Sequence, residues 1–227
     1  MRFSQLKRGF SFGVAMNFDT SAALDQTALA VGIGFNANLP ALAAGESLTH
    51  LYLHWAVTGY HACDSAYNGV ISLDPVKSLW DATITADPRL NATEPVQDGY
   101  AAHTYLRNSH AFGLAVAGMI DATPSDFGPN PITLHEVETL CAVGAAVCLK
   151  YGIDSTQAAL VMTHGEAAIL DGYFITDSPS DGVTRWDLAR LSASDNAVTK
   201  DECVNTGNQL RQRIHQYKLE MMKPAHV

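Results

Sequence analysis

Three side chains in this sequence could share an ion: His54 near the end of the run LTHLYLHWAV, His164 closing AALVMTH, and Asp187 within TRWDL. Two imidazoles and a carboxylate are a recurrent catalytic zinc set, because they leave a fourth position for a water. Such an ion lowers that water's pKa from about 16 to about 7. The ligands would be far apart in the chain, so each histidine can also be read as a hydrogen-bonded structural residue. In TRWDL an extended backbone sends successive side chains to opposite faces, putting Arg185 and Asp187 on one side and Trp186 on the other. Trp186 would then anchor the segment while the charged pair faces a cleft.

The elements that must position these groups follow from periodicity and caps. LTHLYLHWAV is a short apolar run rich in β-formers between Gly45 and Gly59, read as a buried strand ending near His54. YNGVISL (67–73) and AFGLAVAGM (111–119) are further strands, and the stretch between them, with Pro88, Pro95 and Gly99, reads as a long irregular connection. A helix is expected from Thr133, with Glu136 as its capping-box partner and Ile132 and Val137 as its staple, until Gly152 ends it. AALVMTH (158–164) is a strand or the approach to a turn. Thr199 and Glu202 open a polar C-terminal helix through about Met221. Strands alternating with helices predict an α/β fold, a central mixed β-sheet flanked by helices.

Residues 1–45 differ in composition and are read as an extension, with one short helix over SAALDQTALAV and a loop over VGIGFNANLPALAAG. Residues 46–195 form the expected catalytic domain, and residues 196–227 the helix that packs on it or extends from it. The 227 residues, 47% of them apolar, suffice for a proper core. Fourteen Lys and Arg against 23 Asp and Glu give a net charge of −9, which argues against a nucleic-acid partner. No apolar run approaches the roughly 20 residues of a membrane span. The start, MRFSQLKRGFSFGVAM, is broken by Ser and Gly and makes a poor signal peptide, so synthesis in the cytoplasm without one is expected. Cys63, Cys141, Cys148 and Cys203 lack CxxC spacing, and the seven-apart pair 141 and 148 reads as small buried hydrophobes.

Taken in order, HLYLHWAVTG, YNGVI, AHTYLRNSHAFGLAVAGM, ITLHEVETLCAVGAAVCLKYGI, VMTHGEA and RWDLARL resemble a known family over roughly residues 48–191. It is the zinc-dependent N-acetylmuramoyl-L-alanine amidases of the type-2 amidase and peptidoglycan recognition protein superfamily, especially their bacteriophage lysozyme-like members. The resemblance implies Zn²⁺ held by His54, His164 and Asp187. It also implies Arg185 as the cation stabilising the oxyanion of the attacked amide, where the family usually has Lys. The substitution favours electrostatic stabilisation over proton transfer, because Arg does not give up its proton.

For the proton shuttle some branches place a Glu where this chain has Ala115. Lysozyme-like members use a Tyr, matched by Tyr67, which could otherwise be a plain core or edge tyrosine. Relatives mostly have His after that Tyr, and this chain has Asn68. His103 and Asn108 fall on the family's AHT-x-x-x-N segment at the cleft rim, as substrate-binding residues or as a solvated loop histidine and a turn-bonding asparagine. Glu166 is expected to support a ligand or to open a helix. The other histidines are expected to be structural or solvated, with His61 and His110 nearest the cleft in sequence. The implied activity is hydrolysis of the peptidoglycan amide, acting on the cell wall as an endolysin does. The alternatives are a non-catalytic peptidoglycan-binding module and a structural part of a phage tail or secretion apparatus attached through residues 1–45.

Overall fold

Apolar residues recur at every second position of LYLHW and FGLAV, so each strand presents one greasy face, and a sheet follows from burying it. The structure, a computed structural model, describes residue 16 and residues 18–224. Among these, five strands are named: β1 (His50–Trp55), β2 (Gly69–Leu73), β3 (Trp80–Ile84), β4 (Ala111–Val116) and β5 (Val161–Thr163). They form one sheet in the order β3-β2-β4-β1-β5. β1 pairs in parallel with both β4 and β5, and β2 pairs in parallel with β4 but antiparallel with β3. The expected mixed sheet flanked by helices is therefore present.

Four helices accompany it among the described residues: α1 (Gln26–Asn38), α2 (Leu134–Tyr151), α3 (His164–Asp171) and α4 (Lys200–Met221). Thr133 and Glu136 cap α2 reciprocally and left-handed Gly152 closes it, as the sequence predicts. Every residue of α2 from Glu136 to Cys148 is buried, so this helix runs through the centre of the molecule rather than along its surface. Leu51, Leu53 and Trp55 of β1 and Phe112, Leu114 and Val116 of β4 share its core. Thr199 accepts from the Glu202 backbone to start α4, but the Glu202 carboxylate turns instead to Arg190, 2.6 Å away.

The connection between β2 and β4, read as irregular, contains the edge strand β3. Its burial alternates between half-buried and exposed, the pattern of an edge covered on one side only. α1 continues through VGIGFNAN, the stretch read as a loop. Tertiary packing overrides the glycines' weak propensity, because a Cβ at Gly32 would collide with the Ala142 backbone and the tip of Met221. The part of residues 1–45 that is described docks on the same core: Phe18, Ala28, Phe35 and Leu39 are all buried in it.

A buried polar cluster secures this docking. Arg213 on α4 donates to both carboxylate oxygens of Glu138 on α2, at 2.8 Å each, and to the carbonyls of Ala22 and Ala23. Tyr217 adds a 2.6 Å bond to the same carboxylate. Cation and anion are fully paired, which is what a buried charge requires.

Candidate metal centre

Alternation along β1 sends Leu51, Leu53 and Trp55 toward α2, so Tyr52 and His54 project from the opposite face. There His54 stands level with Ala115 on the neighbouring strand. His164 arrives on the adjacent strand's end. β5 stops at Thr163, whose hydroxyl accepts from the Glu166 backbone while the Glu166 carboxylate accepts from the Thr163 backbone. This box makes His164 the first residue of α3, at the carboxyl end of a parallel strand, where open α/β sheets commonly bind ligands.

Asp187 is brought over by the chain that follows. The Asp187 carbonyl accepts from Gly165 at 3.0 Å, and Leu188 takes a left-handed φ of 56° to turn the chain away. Trp186 wedges against Trp55, with ring centroids 4.7 Å apart, and against Phe127. The anchor role read from TRWDL fits this packing.

The three side chains meet. His54 Nδ1 lies 3.1 Å from His164 Nδ1, and Asp187 Oδ2 lies 3.2 Å from the latter and 3.6 Å from the former. All three residues are buried. Between such atoms only an N–H can bridge two acceptors, and no Lys or Arg donates to them among the described residues. A metal ion would satisfy all three at once, and the set could hold one.

The electrostatics agree. Burial pushes the His54 imidazole down to about 4 against the pull of Asp187, leaving it neutral and able to give a lone pair. Burial acts to raise the Asp187 carboxyl, but His164 and His54 outweigh it and hold the group well below the usual carboxylate range.

A cleft of about 1260 Å³ opens over this centre, lined by Tyr67, Tyr105, Leu106, Tyr173 and Arg185 among others. Arg185 is the single Lys or Arg among the lining residues described, and its guanidinium bonds only to the Thr184 carbonyl, at 3.0 Å. Tyr67 packs its ring 5.1 Å from that of His54, and its hydroxyl reaches the Trp55 carbonyl at 3.4 Å. Burial, then Asp187, pushes the Tyr67 phenol far up, so it keeps its proton.

Asn108 lines the cleft, and its side-chain oxygen accepts from the Thr104 backbone at 2.9 Å. His103 is 5% exposed and lies against strand β4, where a Cβ at Gly113 would collide with its ring. Burial, then the neighbouring His54 and His164, holds its pKa well below the ordinary value. Asn68 ties β2 to β4 by accepting from Gly113 N and donating to Asn91. His61 turns to the Leu73 carbonyl and His110 to Ser47.

Two partners of the centre escape sequence reasoning. Thr104 places its hydroxyl 3.3 Å from His54 Nε2 and 2.9 Å from His103 Nδ1. Arg211, on α4, forms a two-pronged bond to Glu166 at 2.8 and 2.7 Å, and a Cβ at Gly207 would collide with that same carboxylate. The C-terminal helix thereby clamps the helix that carries His164. The Thr163–Glu166 spacing did signal the start of α3, but nothing local points from Glu166 to Arg211.

No family model, no curated protein and no solved structure matches the chain.

Proposed function

We propose that the chain is a zinc-dependent N-acetylmuramoyl-L-alanine amidase, hydrolysing the amide between the lactyl group of muramic acid and L-alanine in peptidoglycan. The observation that carries this reading is the convergence of His54 Nδ1, His164 Nδ1 and Asp187 Oδ2 on the floor of a large cleft. Ligands about 2.0–2.1 Å from a tetrahedral zinc stand about 3.3 Å from one another, which the 3.1, 3.2 and 3.6 Å separations here bracket. The order of motifs along the chain supports the substrate class. So does the cleft, which exceeds the roughly 300–1000 Å³ of a small-molecule pocket and is lined by several tyrosines.

When bound, zinc supplies a Lewis acid and a water acidic enough to attack an amide near neutral pH. The protein's own groups do the rest. Arg185 sets a permanent cation in the cleft, where negative charge grows on the amide oxygen. Tyr67 holds a proton on its phenolic oxygen within the same cleft, available to the departing amine of L-alanine. Trp186 fixes the backbone between the cation and the carboxylate, so Arg185 and Asp187 keep their relative positions. The reaction adds the elements of water across one C–N bond, leaving a lactyl carboxylate and a free alanine amine.

The test is digestion of purified peptidoglycan by the purified protein, with zinc content measured in parallel. Wild type is expected to bind one zinc and release free N-terminal alanine, and Asp187→Ala to do neither. Undiminished cleavage by Asp187→Ala overturns the assigned centre. Wall binding with zinc but without cleavage assigns the chain instead to the non-catalytic peptidoglycan-binding proteins.

A further inference from the structure

The centre's first histidine is held from behind by two residues that lie outside the ligand set. His54 directs Nδ1 at His164 and Asp187, so its Nε2 faces away, 3.3 Å from the Thr104 hydroxyl. That hydroxyl also stands 2.9 Å from His103 Nδ1. Thr104 is 1% exposed and His103 5%, so water does not compete for these bonds. The His103 ring sits here because residue 113 is glycine, and Asn68 and β1 fix that glycine on both edges of its strand.

The proton count leaves one arrangement. An imidazole that gives its Nδ1 lone pair to an ion carries its single proton on Nε2. His54 Nε2–H therefore donates to Thr104 Oγ1. Threonine has one hydroxyl proton, and the acceptor within reach is His103 Nδ1. His103 must then carry its own proton on Nε2, which has no hydrogen-bond partner among the described residues.

We infer that Thr104 and His103 form a hydrogen-bonded relay that locks His54 in the tautomer presenting Nδ1 to a metal ion, making Thr104 a positioning residue of the centre. The relay rests on the metal-site part of the proposed function but not on its substrate. Outer partners of this kind commonly change metal affinity by about 10–100-fold when removed. Valine at 104 keeps the shape of threonine and removes both bonds. Serine keeps the hydroxyl.

The experiment uses the full chain with ¹⁵N-labelled histidine and zinc ion alone. In long-range ¹H–¹⁵N spectra of the zinc-loaded wild type, His54 and His103 should both appear as neutral rings protonated at Nε2, the His103 signals being assigned by their loss in His103→Gln. Thr104→Val should bind zinc about 10–100-fold more weakly in a competition titration with a chelating dye. It should also leave the His103 tautomer mixed, and Thr104→Ser should restore both readouts. A wild-type His103 protonated at Nδ1 overturns the relay whatever the variants do, as does a folded Thr104→Val with unchanged zinc affinity. Because no readout involves cleavage, a protein with the relay intact and no amidase activity would sink the proposed function and leave this inference standing.

Discussion

Two buried polar clusters in this molecule solve the same problem in opposite ways. Behind the sheet, Glu138 receives three bonds from Arg213 and one from Tyr217, so the anion has its cation and every oxygen its donor. In front of it, Asp187 faces two imidazole nitrogens that face each other, and no cationic side chain joins them among the described residues. The first cluster is closed and works as glue. The second lacks a side-chain cation among the described residues and could be closed by a metal ion. Burial and polarity are shared; what separates a structural cluster from a binding centre is whether the chain supplies its own counter-charge.

The contrast can be broken at either end. Removing the front carboxylate in Asp187→Ala should abolish zinc binding yet leave the zinc-free protein folded, with a melting temperature close to that of wild type. Removing the rear one in Glu138→Ala should do the reverse. It strands Arg213 without its anion and should cost about 3–5 kcal/mol in urea unfolding, with zinc affinity per folded molecule unchanged. Equal losses of stability in the two variants would erase the distinction.

The two arginines sharpen it next. Arg213 is buried and saturated with partners, whereas Arg185 has one backbone contact and an open cleft before it. Arg185→Ala should therefore leave stability unaltered and lower kcat on a muramyl-peptide amide by about 10²–10³-fold. Arg185→Lys should recover part of that, keeping the charge and losing the fork. A kcat of wild-type size in Arg185→Ala removes it from the reaction.

Glu136 offers the smallest effect and a third case, a buried carboxyl with neither arginine nor ion. Its Oε1 has no partner among the described residues, and burial pushes its pKa up to about 8 despite the bonds from Thr133. A carboxyl raised by folding contributes fully below its unfolded value of 4.5, and that contribution is lost as pH rises through about 8. Glu136→Gln keeps an acceptor for the Thr133 backbone and cannot ionise. It should be the more stable protein at pH 8, and the gap should close toward pH 4.5. Parallel stability curves for the two proteins would clear Glu136 of any such cost.

What was legible in the sequence was what short-range chemistry writes there. α2 and the start of α4 announce themselves through Thr133 and Thr199, because a cap is read within four residues. The types and order of His54, His164 and Asp187 marked them as candidates, and Trp186 as their anchor. β3 was missed because an edge strand alternates weakly and carries Asp81 on its open side. The second half of α1 was missed because Gly32 looks like a breaker until Ala142 is seen against it. Thr104, Gly113 and Arg211 could not be found locally at all. Thr104 and Arg211 acquire their roles from His54 and Glu166, 50 and 45 residues away, and Gly113 from the His103 ring packed across its strand; nothing beside them in the chain marks those neighbours.

The candidate metal site joins strand β1 to the end of β5, a partner that follows much later in the chain, with 110 residues separating the two histidines. Loops of that length close late on a folding route. A ribosome must therefore have delivered everything through Asp187 before the three donors can meet. Capture of zinc by a refolding chain would then clock the final docking of β5 beside β1, a step that helix formation alone would leave unseen.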